Sequence, residues 1–192
     1  MSWSKEKDDN ALDKALNTYS KLIQERPVLT KAITSACISS LGNILSQLIV
    51  PSSQLGNKIA WRSVLSYASF GFFISGPVVH HWYRLLEHLG GSKKDSTVVI
   101  KKILADRLLF TPPFIFTFLY VISILEGHGH KGAMHRIKEV YWYILKTNWK
   151  AWTAIQFFII KYIPMKYRVL VGNFAQLVMT IFISYKRRQM SS

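Results

Sequence analysis

Three histidines lie close together at His128, His130 and His135, and the His-x-His spacing could present two imidazole nitrogens to one ion. Glu126 is the only carboxylate near them, so the segment Glu126-Gly127-His128-Gly129-His130-Lys131-Gly132 reads as a solvated loop. No metal or other cofactor is expected there. The adjacent Asp106-Arg107 is the sharper pair. It stands at the edge of an uncharged run, where ionisable side chains are costly unless they are paired or face water. Asp106 has a possible partner in Lys102 one turn earlier, and Arg168 just past Pro164 poses the same question. A phosphate-cradling glycine loop, a Gly-x-Ser-x-Gly elbow and a His-Glu-x-x-His zinc motif are all missing, so no catalytic residues are assigned and an enzyme is not expected. Cys37 is the single cysteine, which excludes an intrachain disulfide and a cysteine-based metal set.

The elements that position these residues are set by where charge is missing. Residues 32–57, 63–79, 108–125 and 169–185 carry no Asp, Glu, Lys or Arg. A helix needs roughly 20 mostly apolar residues to cross the hydrocarbon, about 17 at the short end, and flanking Lys and Arg can snorkel to lengthen the span. The expectation is an all-α integral membrane protein with about four transmembrane helices, near 27–50, 61–86, 98–125 and 165–185. Pro27 suits a first helical turn, Pro51-Ser52-Ser53 a stop, and Pro77 a kink. Residues 1–26 read as a polar start followed by an amphipathic helix. Residues 133–163 read as an interfacial helix followed by a short buried or re-entrant stretch, and 186–192 as a basic tail.

Two of these spans carry polar stripes. Ser35, Ser39, Asn43, Ser46 and Gln47 fall on one face of the first; Asn173, Gln176 and Thr180 recur at helical spacing on the last. Amides turned toward acyl chains would be unsatisfied, so both faces must look inward, either packing on neighbours or lining water. They are the candidate pore-lining residues. The net charge of +15 is concentrated at the edges of the apolar runs, where it suits anionic headgroups and small anionic solutes. The aromatics lie inside those runs or at their ends, which argues against a nucleic-acid partner.

Several segments together resemble the small four-span membrane proteins of peroxisomes and the mitochondrial inner membrane. They are Pro27 to Ala32 with Leu41 to Gln47; Gly76-Pro77 with His80, Trp82 and Tyr83; Asp106; and the dense run Asn148-Trp149-Lys150, Trp152, Gln156, Tyr162, Pro164, Arg168 and Asn173. Three positions depart from that pattern: Arg107 replaces a usual Gln, Ile159 a usual Asn and Met179 a frequent Trp. The resemblance implies a channel passing small water-soluble metabolites across the peroxisomal membrane, with both termini cytosolic, self-association into a homo-oligomer, and delivery by the peroxisomal membrane-protein import machinery. The alternative it allows is a structural or mitochondrial inner-membrane relative without channel activity.

Overall fold

The structure is a computed structural model, and it describes residues 14, 17–49, 59–90 and 96–178. Every regular element among them is helical. Helix α1 (17–25) gives way at Arg26 to α2 (Pro27–Ile49), which is about 34 Å long at 1.5 Å per residue. Helix α3 is one rod in three parts: Trp61–Phe70, a π-helical turn Gly71–Ser75, and Gly76–Gly90. Helix α4 is built the same way from Ser96–Ala105, a π turn Asp106–Phe110 and Thr111–Leu125. Helix α5 is Gly129–Tyr162, and α6 is 168–178 after a 3-10 turn Met165–Tyr167.

Both π turns have the same local cause. Pro77 and the pair Pro112-Pro113 each follow a π turn by two or three residues. A proline supplies no N–H to the carbonyl four residues back and its ring crowds that carbonyl. The carbonyls concerned, those of Phe73, Leu108 and Leu109, all lie inside the π segments. A widened turn makes room for the ring without breaking the rod.

Successive rods run antiparallel. Asn43 meets Ser63 and Lys31 meets His80 across α2 and α3. Arg62 meets the Leu125 carbonyl and Trp82 meets Asp106 across α3 and α4. Tyr120 meets His130, and Ile160 packs on Val99 and Ile103, across α4 and α5. Helix α6 then returns beside α2 in the same direction, Asn173 at Ser35 and Leu177 near Gly42. The α2–α3 seam is close because Gly71 faces the Ser35 carbonyl and Ala36, while Gly76 faces the Ala32 backbone. Small residues let backbones approach in this way where lipid removes the hydrophobic drive between helices.

One difference from the sequence reading matters. The interfacial and re-entrant stretch expected over 133–163 is a single uninterrupted helix lying along the whole of α4. The short uncharged run after residue 150 reads as a separate segment only if hydropathy is averaged. The buried stripe continues through it, from Ala133, Ile137 and Leu145 by way of Gln156 to Ile159 and Ile160, and no proline or glycine stands between Gly132 and Pro164.

Candidate functional site

The bundle holds its polar groups in three layers. At the end where α2 finishes, Gln47 Nε2 donates to Asn43 Oδ1 (2.7 Å) and Asn43 Nδ2 donates to Ser63 Oγ (3.2 Å). Ser63 donates to Glu126 Oε1 (2.7 Å), and Arg136 donates to Glu126 Oε2 (3.2 Å). Gln47 also accepts from the Ala60 N–H at 2.7 Å. Arg62 donates to the Leu125 carbonyl beneath Gly127, whose φ of +94° and missing Cβ leave space for the guanidinium. Glu126, expected only as part of a solvated loop, thus ties α3 to the start of α5.

The second layer is centred on Asp106, 4% exposed. Its two oxygens accept from Trp82 Nε1 at 2.8 Å and Arg107 Nη2 at 2.7 Å. Arg107 reaches on to Asn148 Oδ1 at 3.0 Å, and Trp149 Nε1 donates to the Arg107 carbonyl at 3.1 Å. The departure from the family pattern at Arg107 therefore supplies the buried carboxylate's counter-ion. Lys102, the expected partner, goes elsewhere.

The third layer joins all five rods from α2 to α6. Glu87 accepts from Lys102 Nζ at 2.7 Å and pairs with Arg168 Nη2 at 2.9 Å. Arg168 also donates to the carbonyls of Ile160 and Ile163, so one cation closes the C-terminal end of α5 beyond which Pro164 cannot continue the helix. Gln156 donates to the Tyr83 hydroxyl at 3.2 Å. Lys31 Nζ lies 2.9 Å from His80 Nδ1, and Asn173 donates to Ser35 Oγ at 2.7 Å.

Of the candidate pore-lining residues, Ser35 is fully buried and Asn43 8% exposed, and both serve helix-to-helix bonds, Ser35 with Asn173 and Asn43 with Ser63, while Gln47 bonds Asn43 within α2 and accepts from the Ala60 N–H before α3. Ser39 and Ser46 are half-buried and Gln176 is exposed, while Thr180 lies outside the described residues. The motif residues Gly76, His80, Trp82, Tyr83, Asp106, Trp149, Gln156 and Arg168 converge on the second and third layers and the α2–α3 seam. Pro77 sets the π turn, Trp152 is half-buried and Pro164 is exposed. The three histidines do not converge. His130 bonds Tyr120, His128 lies 3.7 Å from Glu126 and His135 3.5 Å from Glu139. Among the described residues no cluster of three metal-binding side chains forms.

The amphipathic reading of 133–163 already gives α5 a basic face opposite its apolar stripe, and the structure places that face outward beside α4. Between residues 131 and 150 the exposed side chains of α5 are Lys131, His135, Arg136, Lys138, Glu139, Lys146 and Lys150, with Trp142 and Tyr143. Along α2 and the central parts of α3 and α4 the exposed residues are apolar, with Arg62, Arg84 and Lys101 nearer the rod ends. The apolar ones are Leu29, Ile33, Cys37, Leu41 and Leu48 on α2, Leu65, Phe73 and Val78 on the middle of α3, and Leu104, Leu108, Leu109, Pro113 and Phe116 on α4. Depth sharpens the contrast. Phe116, midway along the uncharged run 108–125, contacts Tyr141 edge-on at 6.5 Å between ring centroids. Lys138 and Lys146 are then only about 5 and 8 Å along the axis from that level, well within a hydrocarbon half-thickness of roughly 15 Å. Each charge turned to lipid there would cost roughly 2.5–3.5 kcal/mol on an insertion scale.

Among the described residues two rods, Pro27–Ile49 and Thr97–Leu125, are long and apolar enough to cross a bilayer. With ionisable groups paired between helices and apolar residues outside, this is the build of an integral membrane protein. The Mpv17 / PMP22 family model matches residues 123–184. Peroxisomal membrane protein 2 of Bos taurus is 41% identical over 167 residues, 85% of each chain. PXMP2/4 family protein 3 of Dictyostelium discoideum is 30% identical over 90% of each chain, and mitochondrial inner membrane protein Mpv17 of Danio rerio is 29% identical over 90% of this chain and 97% of its own. The chain belongs to the Mpv17/PMP22 family, whose members are integral membrane proteins and generally not enzymes. No solved structure matches it.

Proposed function

We propose that this protein is a multi-pass channel of the peroxisomal membrane, passing small water-soluble metabolites by passive diffusion. The observation that carries the reading is the charged outward face of α5, which lies beside the uncharged run of α4 and needs water at a depth where lipid supplies none. Likeness to a peroxisomal membrane protein 2 over most of both chains supports the location. The test is conductance and solute flux of the purified protein in planar bilayers and liposomes. A protein that inserts but passes neither ions nor small solutes refutes the channel.

A second reading has its own observation. Ser35, Asn43 and Asn173 are all engaged in helix-to-helix hydrogen bonds, with Gln47 tied to Asn43 and the Ala60 N–H, as a structural membrane protein without a pore would have them. A sealed bilayer in the same experiment favours it, and a tagged copy located in cells separates peroxisome from mitochondrial inner membrane. Orientation is testable too. Five rods of alternating direction, if all cross, put the two termini on opposite sides, against the expectation that both are cytosolic. Protease protection of terminal tags on intact organelles decides between them.

A further inference from the structure

The charged face of α5 has to be completed by something, and its chemistry restricts what. Lys138, Lys146 and Lys150 have no carboxylate partner among the described residues, and Glu139 faces only His135. Lipid tails cannot solvate them. Among the described residues the outward faces of α2, α3 and α4 at the same depth offer apolar side chains only, so none of these three faces complements them. Two like-charged copies of the α5 face cannot pack dry against one another, because like charges in close, water-free contact repel strongly. They can, however, stand around a common axis with water and counter-anions between them, as closed symmetric assemblies allow.

We propose that the aqueous path runs along the outward face of α5, walled by the same face of further copies of the chain, and that Lys138, Lys146 and Lys150 make it select small anions. This rests on the channel reading and relocates the path. The α2 and α6 polar stripes hold the bundle together, and the lumen lies between protomers instead of inside one. Rings of cationic side chains are a sufficient basis for anion preference in a pore.

The test starts from Cys37→Ser, which removes the only native thiol. Single cysteines are introduced at Lys138 and Lys146, and for comparison at the outward apolar positions Leu108 and Phe73. Proteoliposomes are then treated with a membrane-impermeant anionic thiol reagent. The expected result is modification at 138 and 146, with loss of flux, and none at 108 or 73. Modification at 108 and 73 as well would place the α4–α5 pair outside the bilayer and overturn the proposal. The triple variant Lys138→Glu/Lys146→Glu/Lys150→Glu, all at exposed positions, is expected to lower the chloride-to-potassium permeability ratio by roughly tenfold and bring it below unity. Membranes from cells co-expressing wild type and triple variant should contain channels of intermediate selectivity, as a shared wall requires; parental classes alone would mean that each copy encloses its own path, and the shared wall would be wrong. Wild-type conductance indifferent to the reagent and to charge reversal defeats this inference and leaves the channel reading standing, whereas a wild-type protein with no conductance defeats the channel reading itself.

Discussion

Replacing Gly76 by alanine tests the α2–α3 seam directly. A Cβ there would lie 2.5 Å from Ala32 Cα, 2.8 Å from its nitrogen and 3.0 Å from the Lys31 carbonyl oxygen. These neighbours are backbone and cannot rotate away. Carbon contacts are optimal near 3.5–4.0 Å, so the rods must part by about 1 Å, a gap that forfeits a quarter to a half of the dispersion energy of each contact across it. In lipid that packing is most of what joins two helices, since apolar side chains gain nothing by leaving acyl chains for each other. The same displacement pulls Lys31 from His80, now 2.9 Å apart. Overpacking of this kind costs about 1–3 kcal/mol, against which alanine's better helix propensity returns about 1 kcal/mol. Gly71→Ala meets the Ser35 carbonyl at 2.7 Å and should behave alike, while Gly172, with no atom within 4 Å of its would-be Cβ, supplies the control. Unfolding by SDS titration in mild detergent, followed by tryptophan fluorescence, should show Gly76→Ala and Gly71→Ala destabilised and Gly172→Ala unchanged or slightly stabilised. Equal stability of Gly76→Ala and Gly172→Ala would refute the close backbone approach.

Asp106→Asn removes the counter-ion of a buried Arg107 and should cost about 3–5 kcal/mol in the same titration, with much of the loss restored in Asp106→Asn/Arg107→Gln, where no buried charge is left alone. Glu87→Gln strips the carboxylate from two cations whose side chains are each 6% exposed, so a loss of similar size is expected, together with fraying where Arg168 closes α5, read by hydrogen exchange at residues 159–163. Glu126→Gln touches a carboxylate as accessible as Glu87 whose cationic partner Arg136 is 49% exposed, against 6% for Lys102 and Arg168, and it keeps a hydrogen-bond acceptor for Ser63, so the loss should be about 1 kcal/mol or less. A larger effect from Glu126 than from Glu87 would contradict the ranking by burial.

The long uncharged runs were legible in the sequence because a helix of 17 or more residues with one face in bulk water would carry charge on that face. The inward turn of Asn43 and Asn173 was legible too, because an amide facing lipid is costly. Partner identity was not legible. Asp106 has Lys102 one turn before it and Arg107 beside it, and nothing local reveals that Lys102 is drawn away by Glu87 across the α3–α4 seam. Nor could spacing show that Asn43 satisfies Ser63 instead of lining water, since packing and pore faces demand the same residue types. The reading of 133–163 as interfacial followed correctly from amphipathicity, but amphipathicity only says that one side of a helix is wet. Whether that water is bulk solvent at the membrane surface or a column through it depends on what the dry side touches. Here the dry side, from Ile137 to Ile160, touches the whole length of α4.

That contact also accounts for the bundle's use of charge where a soluble core would use leucine. Seams between helices in lipid gain no hydrophobic energy, so register must come from close backbone contact and from polar groups that have no alternative partner. The three layers divide this work by position. Gly71 and Gly76 fix the spacing of α2 and α3 at mid-bundle, Glu126 and Ser63 fix one end, and Glu87 with Lys102 and Arg168 fixes the other. Asp106 and Arg107, between the ends, hold α3 and α5 to the π turn of α4. A bundle tied at every level leaves its interior little freedom to open a path, and among the described residues the outward face of α5 is the membrane-depth surface with cations to spare. Charge inside the bundle is therefore structural, and on the proposed channel reading the cations on the outward face of α5 are where solute would meet the protein.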